Sequence, residues 1–238
     1  LEGKKVLVLK ENFLQALTGT FDINFLCNPN SPTGRLVVKP LLEKILKCCQ
    51  ELNIHKAVIE CFLGFVPSPE KYTLKEYLET YDNLFLLKAF TKRYAMAGVR
   101  LGYGLCGNKG LLEKIEGVCQ PWNVSSMAQA AGLAALQERE YVEKGRQVTF
   151  QELAYLKEEL AALGYPVYPS QANYVFFTGP ADLYEKLEQK KILIRDCSNY
   201  TGLSKGYYRV AVKKHEENQQ LVRALKEIDR TKVEHVIL

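Results

Sequence analysis

Apolar residues recur along this chain with two periods, and the alternation between them lays out a fold. Short apolar runs bounded by turn residues, at 22–27, 56–62, 84–90 and 99–106, read as strands, the first of them buried. Segments with helical spacing lie between them. The clearest opens at Val38-Lys39-Pro40 and runs to about residue 53, with Leu41, Leu42, Ile45, Leu46, Cys49 and Leu52 on one face. Residues 14–19 and 74–80 read as shorter helices. Helices alternating with apolar strands predict a parallel sheet. Beyond residue 125 come two helices, 125–138 and 141–163, the second ended by Gly164-Tyr165-Pro166. A strand at 172–177, a helix at 181–189, strands at 192–195 and 207–212 and a helix at 216–228 complete a small C-terminal α/β domain. The division expected is 1–138 for the larger domain and 139–238 for the smaller. Residues 4–9 read as the edge of a folded body. No internal repeat or low-complexity tract interrupts the pattern.

Composition narrows the class. With 238 residues, 47% hydrophobic and 25% charged, the chain suits a soluble globular protein with a sizeable core. The net charge of +5 comes from 32 basic and 27 acidic residues spread along the chain. That excess suits small anionic ligands and does not argue for a nucleic-acid partner. No apolar run approaches membrane-spanning length and no signal-peptide pattern opens the chain, so no membrane partner is expected. Seven cysteines, at 27, 48, 49, 61, 106, 119 and 197, match no zinc spacing. They read as mostly reduced core thiols of a cytoplasmic protein, and no metal is expected.

Two motifs carry candidate chemistry. In Leu87-Lys88-Ala89-Phe90-Thr91-Lys92-Arg93, followed by Tyr94 to Tyr103, a lysine stands just past an apolar strand. A hydroxyl lies beside it, and an arginine, Arg100, follows before a Gly-rich turn. A Schiff-base lysine needs a rigid perch, and a phosphate needs a hydroxyl, a guanidinium and open backbone amides. A solvated strand end with two basic residues is the plain alternative. The second motif, Phe25-Leu26-Cys27-Asn28-Pro29-Asn30-Ser31-Pro32-Thr33-Gly34, forces a tight turn at the carboxyl end of a strand. Open α/β sheets place ligands there.

Together, in this order and separation, the motifs resemble those of fold-type I pyridoxal 5′-phosphate (PLP) enzymes of the aminotransferase class I/II superfamily. The stretches Gln120 to Ala131 and Ser170 to Phe177 are similar to L-threonine-O-3-phosphate decarboxylases and to histidinol-phosphate aminotransferases. The tail Ile194-Arg195-Asp196-Cys197-Ser198-Asn199-Tyr200-Thr201-Gly202-Leu203, with Tyr207-Tyr208-Arg209, leans toward the decarboxylases. The fold implied is α/β: a mostly parallel sheet belonging to part of a large PLP-binding domain, plus the small C-terminal domain. The resemblance also implies further chain before Leu1, including a phosphate loop and an aromatic residue that stacks on the cofactor ring.

By the same resemblance, Lys92 carries the cofactor and moves protons at the substrate α-carbon. Arg100 and Thr91 take its phosphate, Asn30 its phenolic oxygen, and Phe62 lies beside it. Arg209 is implied to grip a substrate carboxylate, with Asn173 assisting, and Arg195 to take a phosphate or a second carboxylate contact. Four positions depart from the pattern. Phe62 lacks a tyrosine hydroxyl carried by aminotransferases, though the decarboxylase-like relatives tolerate it. Ile59 stands where relatives carry the aspartate that pairs with the pyridine nitrogen, and Glu60, one residue on, points to the other strand face. Ala89 replaces a phosphate-binding hydroxyl. Ser31 fills a slot where many relatives carry asparagine. The activity implied is PLP-dependent decarboxylation of L-threonine O-3-phosphate, a step feeding the cobalamin side chain, in a homodimer. Transamination of histidinol phosphate is the alternative. Loss of turnover in a truncated or degenerate relative is a third reading.

Overall fold

A computed structural model describes residue 9 and residues 11–236, so the folded edge expected at 4–9 lies almost wholly outside the described residues. The chain divides into two units. The first holds residues 11–30 and Leu36–Gly145; the second holds Ser31–Arg35 and the chain from Arg146 on.

In the first unit, strands β1 (Ile23–Cys27), β2 (His55–Ile59), β3 (Leu84–Ala89) and β4 (Gly102–Cys106) form one sheet in the order β1-β2-β3-β4. The first three are parallel, as the helix–strand alternation predicts. Strand β4 is not; it runs antiparallel to β3. Residues 90–101 between them hold only a four-residue helix, α2 (Phe90–Arg93), and a 3-10 turn at Ala97–Val99. A parallel return needs a longer crossover. Arg100, at φ +55°, then delays the strand until Gly102, later than the expected start at residue 99.

Helix α1 (Lys39–Glu51) covers one face of this sheet. Pro40 sits in its first turn, where its missing N–H matters least. Leu42, Ile45 and Leu46 pack on Val58, Leu84 and Leu86, each at 0–1% exposure. Burial of five apolar residues on one stripe supplies most of this helix's stability. The expectation of a buried first strand is overturned: Ile23 and Phe25 are 48% and 59% exposed, and only Leu26 turns into the core. Among the described residues nothing buries the face of β1 that carries Ile23 and Phe25. The helix expected at 74–80 is a single 3-10 turn, Lys75–Tyr77, and the Leu74 N–H just before it donates to the Glu60 carboxylate at 2.9 Å. The one expected at 14–19 is a 3-10 helix at Glu11–Ala16. Helix α3 (Lys109–Val118) was not anticipated, since none of its residues is buried; Asn108 caps it by accepting from Leu111 N at 3.0 Å. Helix α4 (Ser126–Gln137) is capped by Ser125, which accepts from Ala128 N at 3.1 Å.

The boundary between units falls inside helix α5 (Arg139–Ala162). The second unit continues with β5 (Val167–Tyr168), β6 (Tyr174–Thr178), α6 (Leu183–Gln189), β7 (Arg195–Asp196), β8 (Tyr207–Ala211) and α7 (His215–Val236). Its sheet is antiparallel throughout, in the order β5-β6-β8-β7. Alternation along β6 and β8 sends Val175, Phe177, Tyr208 and Val210 into a core with Leu156, Leu160, Leu183, Leu187 and Leu225. The reverse face carries Tyr168, Phe176 and Tyr207, with neighbouring ring centroids 5.0 and 5.8 Å apart, and Arg209.

All seven cysteines are free thiols. Only Cys49 and Cys197 are fully buried, and Cys119 is exposed, so the core-thiol reading holds for part of the set. Among the described residues no helix is long and apolar enough to cross a membrane.

Lys56, 1% exposed on β2, is the unexpected buried cation. Its ammonium donates to Asn24 and lies 5.9 Å from the Phe13 ring centroid. Burial lowers its pKa to about 8, against the opposing pull of the Cys49 and Cys27 thiols. The folded state therefore binds fewer protons than the unfolded state between about pH 8 and 10.5, and stability rises with pH across that window. Relative to Lys56→Met, the protein should gain ~3 kcal/mol between these limits, read as the difference of two urea-melt series. A difference independent of pH would show that the ammonium stays fully charged in the fold.

Candidate active site

The parallel strands of the first unit end at one edge, and the candidate residues follow those ends. Asn28, just past β1, is fully buried and is used up by the backbone: its N–H donates to Ile59 O at 3.0 Å and its Oδ1 accepts from Val37 N at 2.9 Å. Asn30 is half-buried. Past β2, Glu60 is 2% exposed and its carboxylate accepts from Thr73 Oγ1 at 2.7 Å, from Leu74 N at 2.9 Å and from the Lys88 ammonium. Past β3, Lys92 projects from α2. It is exposed, and its Nζ lies 5.5 Å from the centroid of the Phe62 ring. Thr91 beside it is half-buried. Arg100 is exposed, and its Nη1 donates to Ala97 O at 2.8 Å, which holds the guanidinium within its own turn. Lys92 and Phe62 are thus brought into contact, whereas Arg100 shows no bond to either.

The second unit collects the remaining candidates. Arg195 on β7 and Arg209 on β8 are direct cross-strand partners, so their side chains leave the same face of the sheet. Neither has a carboxylate partner among the described residues. Arg209 lies over the Tyr174 ring at 4.9 Å and its Nη1 donates to Ser31 Oγ at 2.8 Å. Arg195 Nη2 donates to Asn199 Oδ1 at 3.0 Å. Burial pushes the nearby Cys197 thiol up to about 11 despite both arginines, so it adds no compensating charge at neutral pH. Asn173 precedes β6; its backbone carbonyl accepts from Val212 N at 2.8 Å, and its side-chain Oδ1 is buried without a partner. No hydrogen bond joins that amide to Arg209.

Ser31 belongs to this cluster although it is far away in sequence. Residues 31–35 are held on the second unit by Gln171 N donating to Gly34 O at 2.9 Å. Gly34, at φ +72°, lies so close to Ser170 that a Cβ there would fall 1.9 Å from the serine Oγ, so only glycine fits. Ser31 and Tyr200 were not among the expected site residues. The sequence signal for Ser31 is the slot before Pro32, where many relatives carry asparagine; a pairing with Arg209 across 178 positions leaves no local trace.

The model of the aminotransferase class I and II family matches residues 9–225. This chain belongs to that family. Its cofactor is pyridoxal 5′-phosphate. A threonine-phosphate decarboxylase of Salmonella typhimurium is 35% identical over 224 residues, which are 92% of this chain and 61% of that protein. A histidinol-phosphate aminotransferase of Methanococcus aeolicus is 31% identical over 92% of this chain and 59% of its own length. The solved histidinol-phosphate aminotransferase of Clostridium acetobutylicum superposes with a TM-score of 0.83 at 31% identity, covering 88% of this chain and 64% of that one. The architecture is accordingly fold-type I. The chain spans about three-fifths of the length of these relatives.

The residues present suit the cofactor in chemistry at its aldehyde end, where the Lys92 amine is accessible, and offer the Thr91 hydroxyl and the Arg100 guanidinium for its phosphate, the latter turned onto Ala97 O. They do not fit it at the ring nitrogen. Ile59, half-buried between Cys27 and Leu87 in the strand register, offers no acid, and the Glu60 carboxylate is fully engaged elsewhere.

Lys92→Ala should abolish the borohydride-reducible PLP adduct on the peptide holding residue 92. Because the side chain is exposed, stability should move by no more than about 0.5 kcal/mol. A reducible adduct persisting on the same peptide, seen by mass spectrometry, would show that another amine carries the cofactor.

Proposed function

We propose that this chain carries the lysine and the substrate-anion site of a PLP-dependent enzyme acting at the α-carbon of a phosphorylated amino acid. The reaction proposed is decarboxylation of L-threonine O-3-phosphate. The observation that carries this reading is the side-by-side pair Arg195 and Arg209 without an acid. Like charges directly opposite on neighbouring strands destabilise a sheet. A ligand bearing both a phosphate and a carboxylate supplies one anion per guanidinium, with the paired donors each arginine fork offers.

Histidinol phosphate has a phosphate but no carboxylate, so it leaves one arginine uncompensated. Its transamination is therefore the second reading, favoured only by the likeness to aminotransferases of that name. When bound, the cofactor supplies an electron sink for the pair left at the α-carbon as CO2 departs. In this reading Lys92 Nζ would return a proton to that carbon, and its contact with the Phe62 ring would orient the amine. With Ile59 at the ring-nitrogen position, the sink is weakened, so slow turnover is expected.

Calorimetric titration of O-phospho-L-threonine and of histidinol phosphate tests the proposal. O-phospho-L-threonine should bind the more tightly, and Arg209→Ala or Arg195→Ala should each remove about 2–5 kcal/mol of that binding. Tight histidinol phosphate binding without a response to O-phospho-L-threonine would replace decarboxylation by transamination. Binding of neither ligand would leave a homologue without turnover.

A further inference from the structure

Tyr200 lies in the loop joining β7 to β8 and touches both arginines by different routes. The Arg195 guanidinium lies over its ring, 5.9 Å from the centroid. Its hydroxyl is 3.4 Å from Ser31 Oγ, which in turn accepts from Arg209 Nη1 at 2.8 Å. The loop backbone is held on both sides of the residue: Tyr200 N donates to Cys197 O at 3.1 Å, and Leu203 N donates to Tyr200 O at 3.0 Å. The ring is half-buried, so it cannot swing freely.

We propose that Tyr200 is a positioning residue that fixes the separation of Arg195 and Arg209, and thereby selects ligands with two anionic groups over ligands with one. The inference rests on the substrate reading above and adds the residue that enforces it. An arginine side chain has many rotamers, and two neighbouring guanidiniums repel. Left untied, each head turns outward to water, and the spacing between them is lost. A ligand with one anionic group needs one arginine and is indifferent to that spacing. A ligand with a phosphate and a carboxylate on one short skeleton needs both heads at a set distance, and it bears the cost of ordering them when they are not already in place. Asn199 holds one side of Arg195 and the Tyr174 ring one side of Arg209; Tyr200 alone reaches both heads, Arg195 by its ring face and Arg209 through Ser31, and so ties their separation.

The hydrogen-bond polarity agrees with this role. Ser31 Oγ already accepts from Arg209, and if the tyrosine hydroxyl donates as well, both serine lone pairs are filled. The serine is then fixed between its two partners. The 3.4 Å separation is long for a hydroxyl pair, so removing the tyrosine hydroxyl alone should have a small effect.

Three probes separate the possibilities: O-phospho-L-threonine with two anionic groups, ethanolamine phosphate with only the phosphate, and L-threonine with only the carboxylate. Each is titrated calorimetrically into wild type, Tyr200→Phe, Tyr200→Leu and Ser31→Ala. Tyr200→Phe keeps the ring and should weaken O-phospho-L-threonine about 2–5-fold, leaving the other two probes within a factor of about 2. Tyr200→Leu removes ring and hydroxyl and should weaken O-phospho-L-threonine about 10–100-fold, again with much smaller effects on the single-anion probes. Ser31→Ala should match Tyr200→Phe in direction, and the double variant should lose no more than the larger single loss, because both act through one contact. If Tyr200→Leu does not fold, Tyr200→Phe and its double with Ser31→Ala decide the matter. Equal losses for all three probes, or no loss for any, overturn the positioning role while leaving the substrate reading in place. Failure of the wild type to bind O-phospho-L-threonine overturns both.

Discussion

A carboxylate shut away from water must be fully paired, and the way Glu60 meets that demand organises the lysine-bearing unit. Its two oxygens accept from the Thr73 hydroxyl, the Leu74 backbone and the Lys88 ammonium. Those partners come from the segment after β2 and from β3, so one side chain ties three stretches of chain together. An isolated buried charge is costly, and removing one member of such a set leaves the rest uncompensated. The network therefore fixes where the segment after β2 begins and how β3 lies beside it. Phe62 follows Glu60 by two residues and Lys92 follows Lys88 by four, which places the ring and the amine in register. The same commitment keeps Glu60 from any other task, and this is why the isoleucine beside it has chemical weight.

The features legible in the sequence were those written at short range. The apolar stripe of α1 appears at the spacing its helix requires, and the parallel strands β1 to β3 announce themselves as apolar runs. The lysine motif and the Asn-Pro turn stand at strand ends, as their composition says. What escaped notice depends on distant partners or on weak local signals. The antiparallel direction of β4 follows from the geometry of a short connection, which hydropathy does not record. The open face of β1 depends on what packs against Ile23 and Phe25, and an apolar run reads the same whether covered or bare. Helix α3 buries nothing, so its stripe is faint, although Asn108 at its start was a usable sign. The bond from Arg209 to Ser31 joins residues from opposite ends of the chain.

The second sheet shows how one strand can serve stability and binding together. Along β8, Tyr208 and Val210 turn into the core, while Tyr207 and Arg209 turn to the reverse face. Packing on one side fixes the backbone, and the fixed backbone then sets where the arginine stands. The partners on that reverse face are an aromatic ring, a serine, an asparagine amide and a second ring, all without charge. Neutral partners orient a guanidinium without quenching its field. A structural salt bridge would have done both.

The close approach of Gly34 to Ser170 has a consequence for how variation in this protein would be interpreted. Any side chain at position 34 collides with position 170 and lifts the short segment that presents Ser31 to Arg209. In a mutational scan scored on ligand capture, position 34 would rank beside the arginines although glycine offers a ligand nothing. An alanine at 170 would not rescue a bulkier neighbour at 34, because the residue-170 Cβ and Cα still lie 2.8 and 3.3 Å from the added Cβ and the φ of +72° strains any side chain there. The two positions form a steric couple, and a map of sensitivity drawn from such data would mark a contact surface larger than the chemical one.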